Sequence, residues 1–128
     1  MSDVPELRVT PDKYLPFRYA GASGDFNPIH LDPELAKAVG FPGNILHGLW
    51  SMAQVARAAV DAGGGDPRSL KRLSVQFRGI GLPEQEIVIS GVEKGERDGR
   101  VILDLVARQE DREIVKHVEA ELERGSHG

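Results

Sequence analysis

Apolar and polar positions alternate through the C-terminal half of the chain, whereas a helical spacing governs its middle. SLKRLSVQFRGI, residues 69–80, alternates as a half-buried strand does. EIVISGVEKGERDGRVILDLVARQEDREIVKHVEAELE, residues 86–123, reads as three further strands. Asp98-Gly99 predicts a two-residue hairpin, and QEDRE at 109–113 a second turn. Upstream, ILHGLWSMAQVARAAVDA, residues 45–62, predicts the longest helix. Its apolar stripe is Ile45, Leu49, Met52, Ala53, Ala56 and Val60, with Ser51, Gln54, Arg57 and Asp61 on other faces. GGGDP ends that helix.

The first forty residues are more broken. ELRV is a short candidate strand. Thr10 is placed to cap a helix with Pro11 at its first position, running towards Tyr19 and Ala20. SGDFNPIHLDP is irregular, and DPELAKAVG restarts a helix with Asp32 as cap, Pro33 next and Gly40 as its stop. FPGN is a turn. This order predicts an α+β fold, an antiparallel sheet wrapped around one long central helix at about residues 45–62. Such a sheet has two edges to protect, so a dimer joining two sheets edge to edge is expected.

Composition narrows the classes. A length of 128 residues suits a single domain over 1–128. With no cysteine, disulfides and thiolate chemistry are ruled out. The net charge of -4 and the lack of a long basic run argue against a nucleic-acid partner. Apolar stretches are too short for a membrane span. MSDVPELRVTP has none of the make-up of a signal peptide, so a cytoplasmic protein is expected. The final RGSHG carries no periodic pattern.

The candidate chemistry lies in GDFNPIHLDP, residues 24–33. A calcium loop starting at Asp25 would need glycine sixth and glutamate twelfth, where this chain has His30 and Ala36. Asp25, His30 and His47 are the residue types of a zinc site, but no H-x-x-x-H or H-E-x-x-H spacing supports one. GASGD lacks the G-x-S-x-G elbow of a serine nucleophile. What remains is a carboxylate and an imidazole, Asp25 and His30, acting on one water or one substrate proton. Asn27 stands between them without adding charge, and Pro28 stiffens the turn. Taken singly, these residues also fit an ordinary loop, and Asp32 is a helix cap. In LHGLW, Gly48 falls in the first turn of the long helix, where backbone N–H groups lack intrahelical acceptors. An oxyanion site there and simple relief of crowding both explain a glycine.

Together these features resemble one family. YAGASGDFNPIHLDPELAKAVGFPGNILHGLWSMA, residues 19–53, is similar to the MaoC-like hot-dog-fold (R)-specific enoyl-CoA hydratases. The similarity is greatest to the branch that includes the (3R)-hydroxyacyl-ACP dehydratase B subunits. It rests on G-D-x-N-P-x-H at Gly24, Asp25, Asn27, Pro28 and His30, on D-P-x-x-A at Asp32, Pro33 and Ala36, and on His47-Gly48. SVQFRGIGLPEQEIVI extends it through Phe77 and Pro83. The resemblance implies a curved antiparallel sheet around the long helix. It implies hydration of trans-2-enoyl thioesters, carried by coenzyme A or acyl carrier protein, to (3R)-3-hydroxyacyl thioesters, with no cofactor and no metal. Asp25 and His30 would activate water, Asn27 would orient them, and the Gly48 N–H would bind the thioester oxygen. A homodimer, or a heterodimer with another hot-dog subunit, would be the assembly. A hot-dog thioesterase and a non-catalytic acyl-thioester-binding subunit are the alternatives.

The chain also departs from that family. Pro83-Glu84-Gln85 replaces Pro-Gly-Asp, GIGL replaces a more apolar, proline-containing loop, and the N-terminus is short. Lys71, Arg72 and Arg78 are candidates to meet phosphates or an acidic carrier, and Phe26 and Trp50 to line an acyl pocket.

Overall fold

A computed structural model describes residues 3–123; the RGSHG tail lies outside the described residues. The chain runs β1 (Asp3–Val9), α1 (Leu15–Ser23), α2 (Pro28–Leu31), α3 (Pro33–Ala38) and α4 (Gly48–Ala62). A 3-10 turn at Pro67–Ser69 leads into β2 (Leu70–Phe77), β3 (Ile87–Arg97), β4 (Arg100–Gln109) and β5 (Arg112–Glu123). The five strands form one sheet in the order β1-β3-β4-β5-β2. Every neighbouring pair is antiparallel, and each ladder contains at least one register shift. An extra residue on one strand bends it and increases its twist, so shifts in all four ladders curl the sheet. Asp98 and Gly99 both have positive φ, as the expected hairpin turn requires.

The concave face closes on α4. Ser51, Val55, Ala58 and Ala59 are the buried positions of this helix. They meet a core that includes Ile87, Ile89, Val101, Leu103, Leu105, Ile114, Val115 and Val118. Small residues on the helix let the sheet approach its backbone, while β-branched residues fill the strands. No helix among the described residues is long and apolar enough to cross a membrane.

Three sequence expectations need correction. Thr10 does not cap a helix and Pro11 does not begin one: α1 starts at Leu15, with Tyr14 at its cap. The buried Pro11 carbonyl instead accepts the Glu84 N–H at 2.6 Å, which ties this stretch to a distant turn. Asp12 then turns the chain, accepting the Tyr14 N–H at 2.8 Å and pairing with Arg18 at 2.7 Å. The long helix begins at Gly48, not at residue 45. Ile45 and Leu46 donate their N–H groups to the carbonyls of Ile29 and Gly81, at 3.0 and 2.8 Å. The helix is also rotated relative to the expected stripe: Leu49 is 66% exposed, and Ser51 faces inward.

Candidate active site

The site is built where the stretch between α1 and α4 folds back on itself. Asp25 opens a turn, its Oδ1 accepting the Asn27 N–H at 3.2 Å. Asn27 in turn caps α2, its Oδ1 accepting the Ile29 N–H at 3.2 Å. Pro28 fills the first position of this four-residue helix, where a missing N–H does no harm. One turn of helix carries His30 inward to a buried position. Residues 44–47 then lie alongside, with Asn44 Nδ2 donating to the His30 carbonyl at 3.0 Å.

These contacts settle both imidazole tautomers. His30 Nδ1 lies 2.9 Å from the Ile45 carbonyl oxygen, which only accepts, so Nδ1 carries the proton and donates it. In the neutral ring Nε2 is therefore a bare lone pair. It faces the Asp25 carboxylate at 3.8 Å, too far for a direct hydrogen bond but close enough for one water to reach both. His47 Nε2 donates in the same way to the Asp25 carbonyl at 3.0 Å. The His47 ring stacks on His30 at 3.9 Å between centroids with 21° between planes, and the Tyr19 ring lies tilted against His47 at 4.7 Å. His47 thus fixes the position of Asp25 through its backbone and the plane of His30 through its ring.

Asp25, His30 and His47 each bring a ligand-type atom within 4.8 Å of the others, the three residues weighed for zinc. Nearly parallel stacked rings send their in-plane lone pairs along separate planes, and each ring already donates to a carbonyl.

His47 also stands at the N-cap of α4, which places Gly48 at the first helical position. The His47 carbonyl accepts from Trp50 and Ser51. Among the described residues, the N–H groups of Gly48 and Leu49 have no protein acceptor, as expected at a helix start. Gly48 and His30 open on one cavity of about 160 Å³, together with Ser51, Phe77, Ile80 and Ile114. Apart from His30, its lining residues bear no ionisable side chain. A Cβ on Gly48 would touch the Phe77 ring at 3.4 Å, so the absent side chain leaves the helix end open beneath that ring. At Gly81, a Cβ would lie 2.9 Å from Leu46, so glycine lets this loop close the wall.

The expected site residues are therefore divided among three positions. His30 and Gly48 meet in the cavity; Asp25 is not among its lining residues and stands beside His30, its carboxylate 3.8 Å from Nε2. Asn27 acts through backbone geometry, since its side-chain oxygen is committed to the α2 cap. Phe26 and Trp50 are not among the cavity's lining residues; Phe77, Ile114 and Val115 take that part. Lys71 pairs with Glu123, and Arg72 with Glu119 and Glu121, so neither presents a free cation. Arg78 donates to Gln76 and has no carboxylate partner among the described residues.

Sequence reading did not find what secures the loop at 80–85. The buried Gln109 donates to the Leu82 and Gln85 carbonyls and accepts the Leu82 N–H, at 2.8 to 3.0 Å. Arg112 donates to the Ile80 carbonyl at 2.7 Å. Both residues lie at the rim of QEDRE, whose polarity suggested only a turn. With these clamps in place, Glu84 occupies the left-handed region at φ 70, where the family pattern has glycine.

Comparisons with known proteins bear on the family and the fold. The model of the MaoC like domain matches residues 2–114. Enoyl-CoA hydratase 2, peroxisomal, of Arabidopsis thaliana is 38% identical over 84 residues, covering 65% of this chain and 26% of that protein. Fatty acid synthase beta subunit pkiC of Emericella nidulans is 35% identical over 108 residues, covering 83% of this chain and 6% of its own length. The chain thus spans a small part of these curated relatives. Among solved structures, the (R)-hydratase of A. caviae involved in PHA biosynthesis superposes with a TM-score of 0.85. The match covers 97% of this chain and 96% of that one at 20% identity, which establishes a shared hot-dog fold. With a curved sheet wrapped on α4 and a family match over most of its length, the chain belongs to the MaoC-like domain family.

Proposed function

We propose that this chain adds water across the double bond of trans-2-enoyl thioesters, and removes it again, with (3R)-3-hydroxyacyl thioesters as product. One observation carries the reading. Buried, tautomer-fixed His30 and Gly48, the first residue of α4, line one largely apolar cavity, and the Asp25 carboxylate lies 3.8 Å from His30 Nε2.

In the hydration direction, one water sits between His30 Nε2 and Asp25. His30 takes a proton as the water oxygen bonds to C3. The π electrons move through C2 towards the thioester oxygen, where the Gly48 N–H and the positive end of α4 meet the growing negative charge. Asp25 steadies the imidazolium, and the pair returns one proton to C2. No proton or electron is left over. In dehydration the same groups take the C2 proton and protonate the departing 3-hydroxyl. The lining of the cavity suits an acyl chain and keeps bulk water from the electrophile. Coenzyme A or an acyl carrier protein would present the thioester.

β1 and β2 remain as the free edges of the sheet. Phe77 on β2 is 50% exposed and lies over Gly48, whose neighbour in sequence, Leu49, is exposed as well. Pairing through this side, with a second copy or another hot-dog chain, is the assembly that best protects them.

Hydration of crotonyl-CoA, followed by loss of the enoyl absorbance, tests the activity. The wild-type chain, alone or with a partner hot-dog subunit, is expected to turn over. Inactivity on every chain length and carrier overturns the reading. Release of free thiol without loss of the double bond points instead to a thioesterase.

A further inference from the structure

Ser51 is the one residue of the cavity that neither the amphipathic pattern of α4 nor the scheme above accounts for. It is 6% exposed and belongs to the helix face turned towards the sheet. Its neighbours along that face are Val55, Ala58 and Ala59. Ser51 nevertheless lines the cavity with His30 and Gly48. Its backbone N–H donates to the His47 carbonyl, but among the described residues its hydroxyl has no hydrogen-bond partner. Every fully enclosed side-chain polar atom among those residues does have one. The Ser51 oxygen is therefore not sealed in the core; it opens on the cavity. A hydroxyl left unpaired in apolar surroundings is unfavourable, and alanine would fill this helical position better.

Helix geometry decides where that hydroxyl is aimed. Residues three apart lie on the same face, one turn above each other. Helical side chains tilt towards the N-terminus and cover the preceding turn. Ser51 stands three positions after Gly48, so its hydroxyl reaches back over the turn that ends in the free Gly48 N–H. Its usual local alternative, bonding to the carbonyl four residues earlier, is not taken up: the His47 carbonyl is already occupied by two backbone N–H groups.

We infer that the Ser51 hydroxyl is a second hydrogen-bond donor to the carbonyl oxygen of the bound thioester, acting beside the Gly48 N–H. This rests on the enoyl-thioester reading of the site. The oxygen that gains charge during addition would then receive one backbone donor from the helix end and one side-chain donor from the first turn. A hydroxyl can rotate to follow the oxygen as C2 and C3 change geometry, which a fixed N–H cannot.

Two measurements on the full chain test the assignment. Hydration of crotonyl-CoA by Ser51→Ala is expected to show kcat reduced roughly tenfold with KM little changed, the value of one neutral hydrogen bond. Ser51→Thr, which keeps the hydroxyl, should recover most of the loss. The second measurement is the infrared carbonyl band of butyryl-CoA labelled with 13C at the thioester carbon. This saturated ligand binds without reacting, and its band should lie at higher frequency in Ser51→Ala than in wild type. An unchanged kcat with an unchanged band overturns the inference while leaving the hydratase reading intact. So does an altered preference for acyl length with the band unmoved, because Ser51 would then be only a wall of the pocket. A Ser51-dependent band in a wild-type protein that hydrates nothing preserves the donor and removes the hydratase reading. Absence of butyryl-CoA binding sinks both.

Discussion

The cavity at the start of α4 and the charged patch across β5 solve opposite problems with polar groups. On the sheet, Glu121 has a side chain only 12% exposed and is surrounded by Arg72, Arg97 and Arg100. Beside it, Glu119 meets Arg72, Lys94 and Arg97. Hydrogen bonding from Arg97 holds the Glu119 carboxyl below the usual range. For Glu121, burial pushes upward but the bonds from Arg100 and Arg97 outweigh it, so it too lies low. Each carboxylate there is saturated by cations. At the cavity, by contrast, each imidazole spends one nitrogen on a carbonyl, and among the described residues the Ser51 hydroxyl and Gly48 N–H have no protein partner. Saturation holds strands together; deliberate incompleteness leaves atoms available to a ligand.

The largest expected effect comes from filling the incomplete side. His30→Asn retains an N–H for the Ile45 carbonyl but removes the lone pair at Nε2, and Asp25→Asn removes the facing charge. Each should reduce kcat for crotonyl-CoA by about 10²–10⁴-fold while the thermal transition stays near that of wild type. Full activity in either variant breaks the comparison.

Gly48→Pro comes next. Proline has no N–H, yet it is well tolerated at a first helical position. His47, at φ -68 and ψ 132, already has the backbone a residue before proline adopts. Circular dichroism should therefore report the helix intact while kcat falls by roughly 10²–10³-fold, the value of one oxyanion donor.

Disturbing the saturated side should leave turnover alone and lower stability. Glu121→Gln strips the arginines of their shared charge, so the melting temperature falls with kcat unchanged. The same carboxylates predict a pH effect. Their folded pKa values lie below the unfolded ones, so the stability they contribute is fully present above the usual glutamate range. It is lost as pH falls through that range and below. Thermal melts should be flat near neutrality and decline on the acid side, and Glu121→Gln should flatten that decline.

The smallest effect lies between the two regions. Glu84→Gly removes a side chain from a left-handed backbone position and should stabilise the fold by about 1 kcal/mol, a few degrees in melting temperature, without touching kcat.

Much of the fold was legible because its signals are local. The Asp98-Gly99 turn, the Asp32-Pro33 helix start and the alternation of β3 to β5 each depend on neighbours in sequence. The errors share a different cause. Ile45 and Leu46 continue the apolar spacing of α4, but their N–H groups go to Ile29 and Gly81, partners no short window contains. Thr10-Pro11 has the chemistry of a helix start, but Pro11 is held by Glu84, far along the chain. The amphipathic pattern sets Ser51 on a different face from the apolar stripe; it faces inward because the interior there contains a cavity. Of the site, the residue types at 25, 27, 30 and 48 were readable. The division of labour was not, because it depends on which lone pairs the backbone consumes.

The strand order β1-β3-β4-β5-β2 has a consequence for how the molecule comes into being. β3, β4 and β5 form a meander closed by two tight turns, so their pairings need only short loops to close. β1 must find β3 across more than seventy intervening residues, and β2 must cross to β5 over the finished meander. Closing long loops is slow relative to zipping a hairpin. The stretch from Asp25 to Gly48 lies inside the long excursion, so the meander can be in register before Asp25, His30 and Gly48 meet. Pulsed hydrogen exchange during refolding should protect β4 first and the His30 amide among the last.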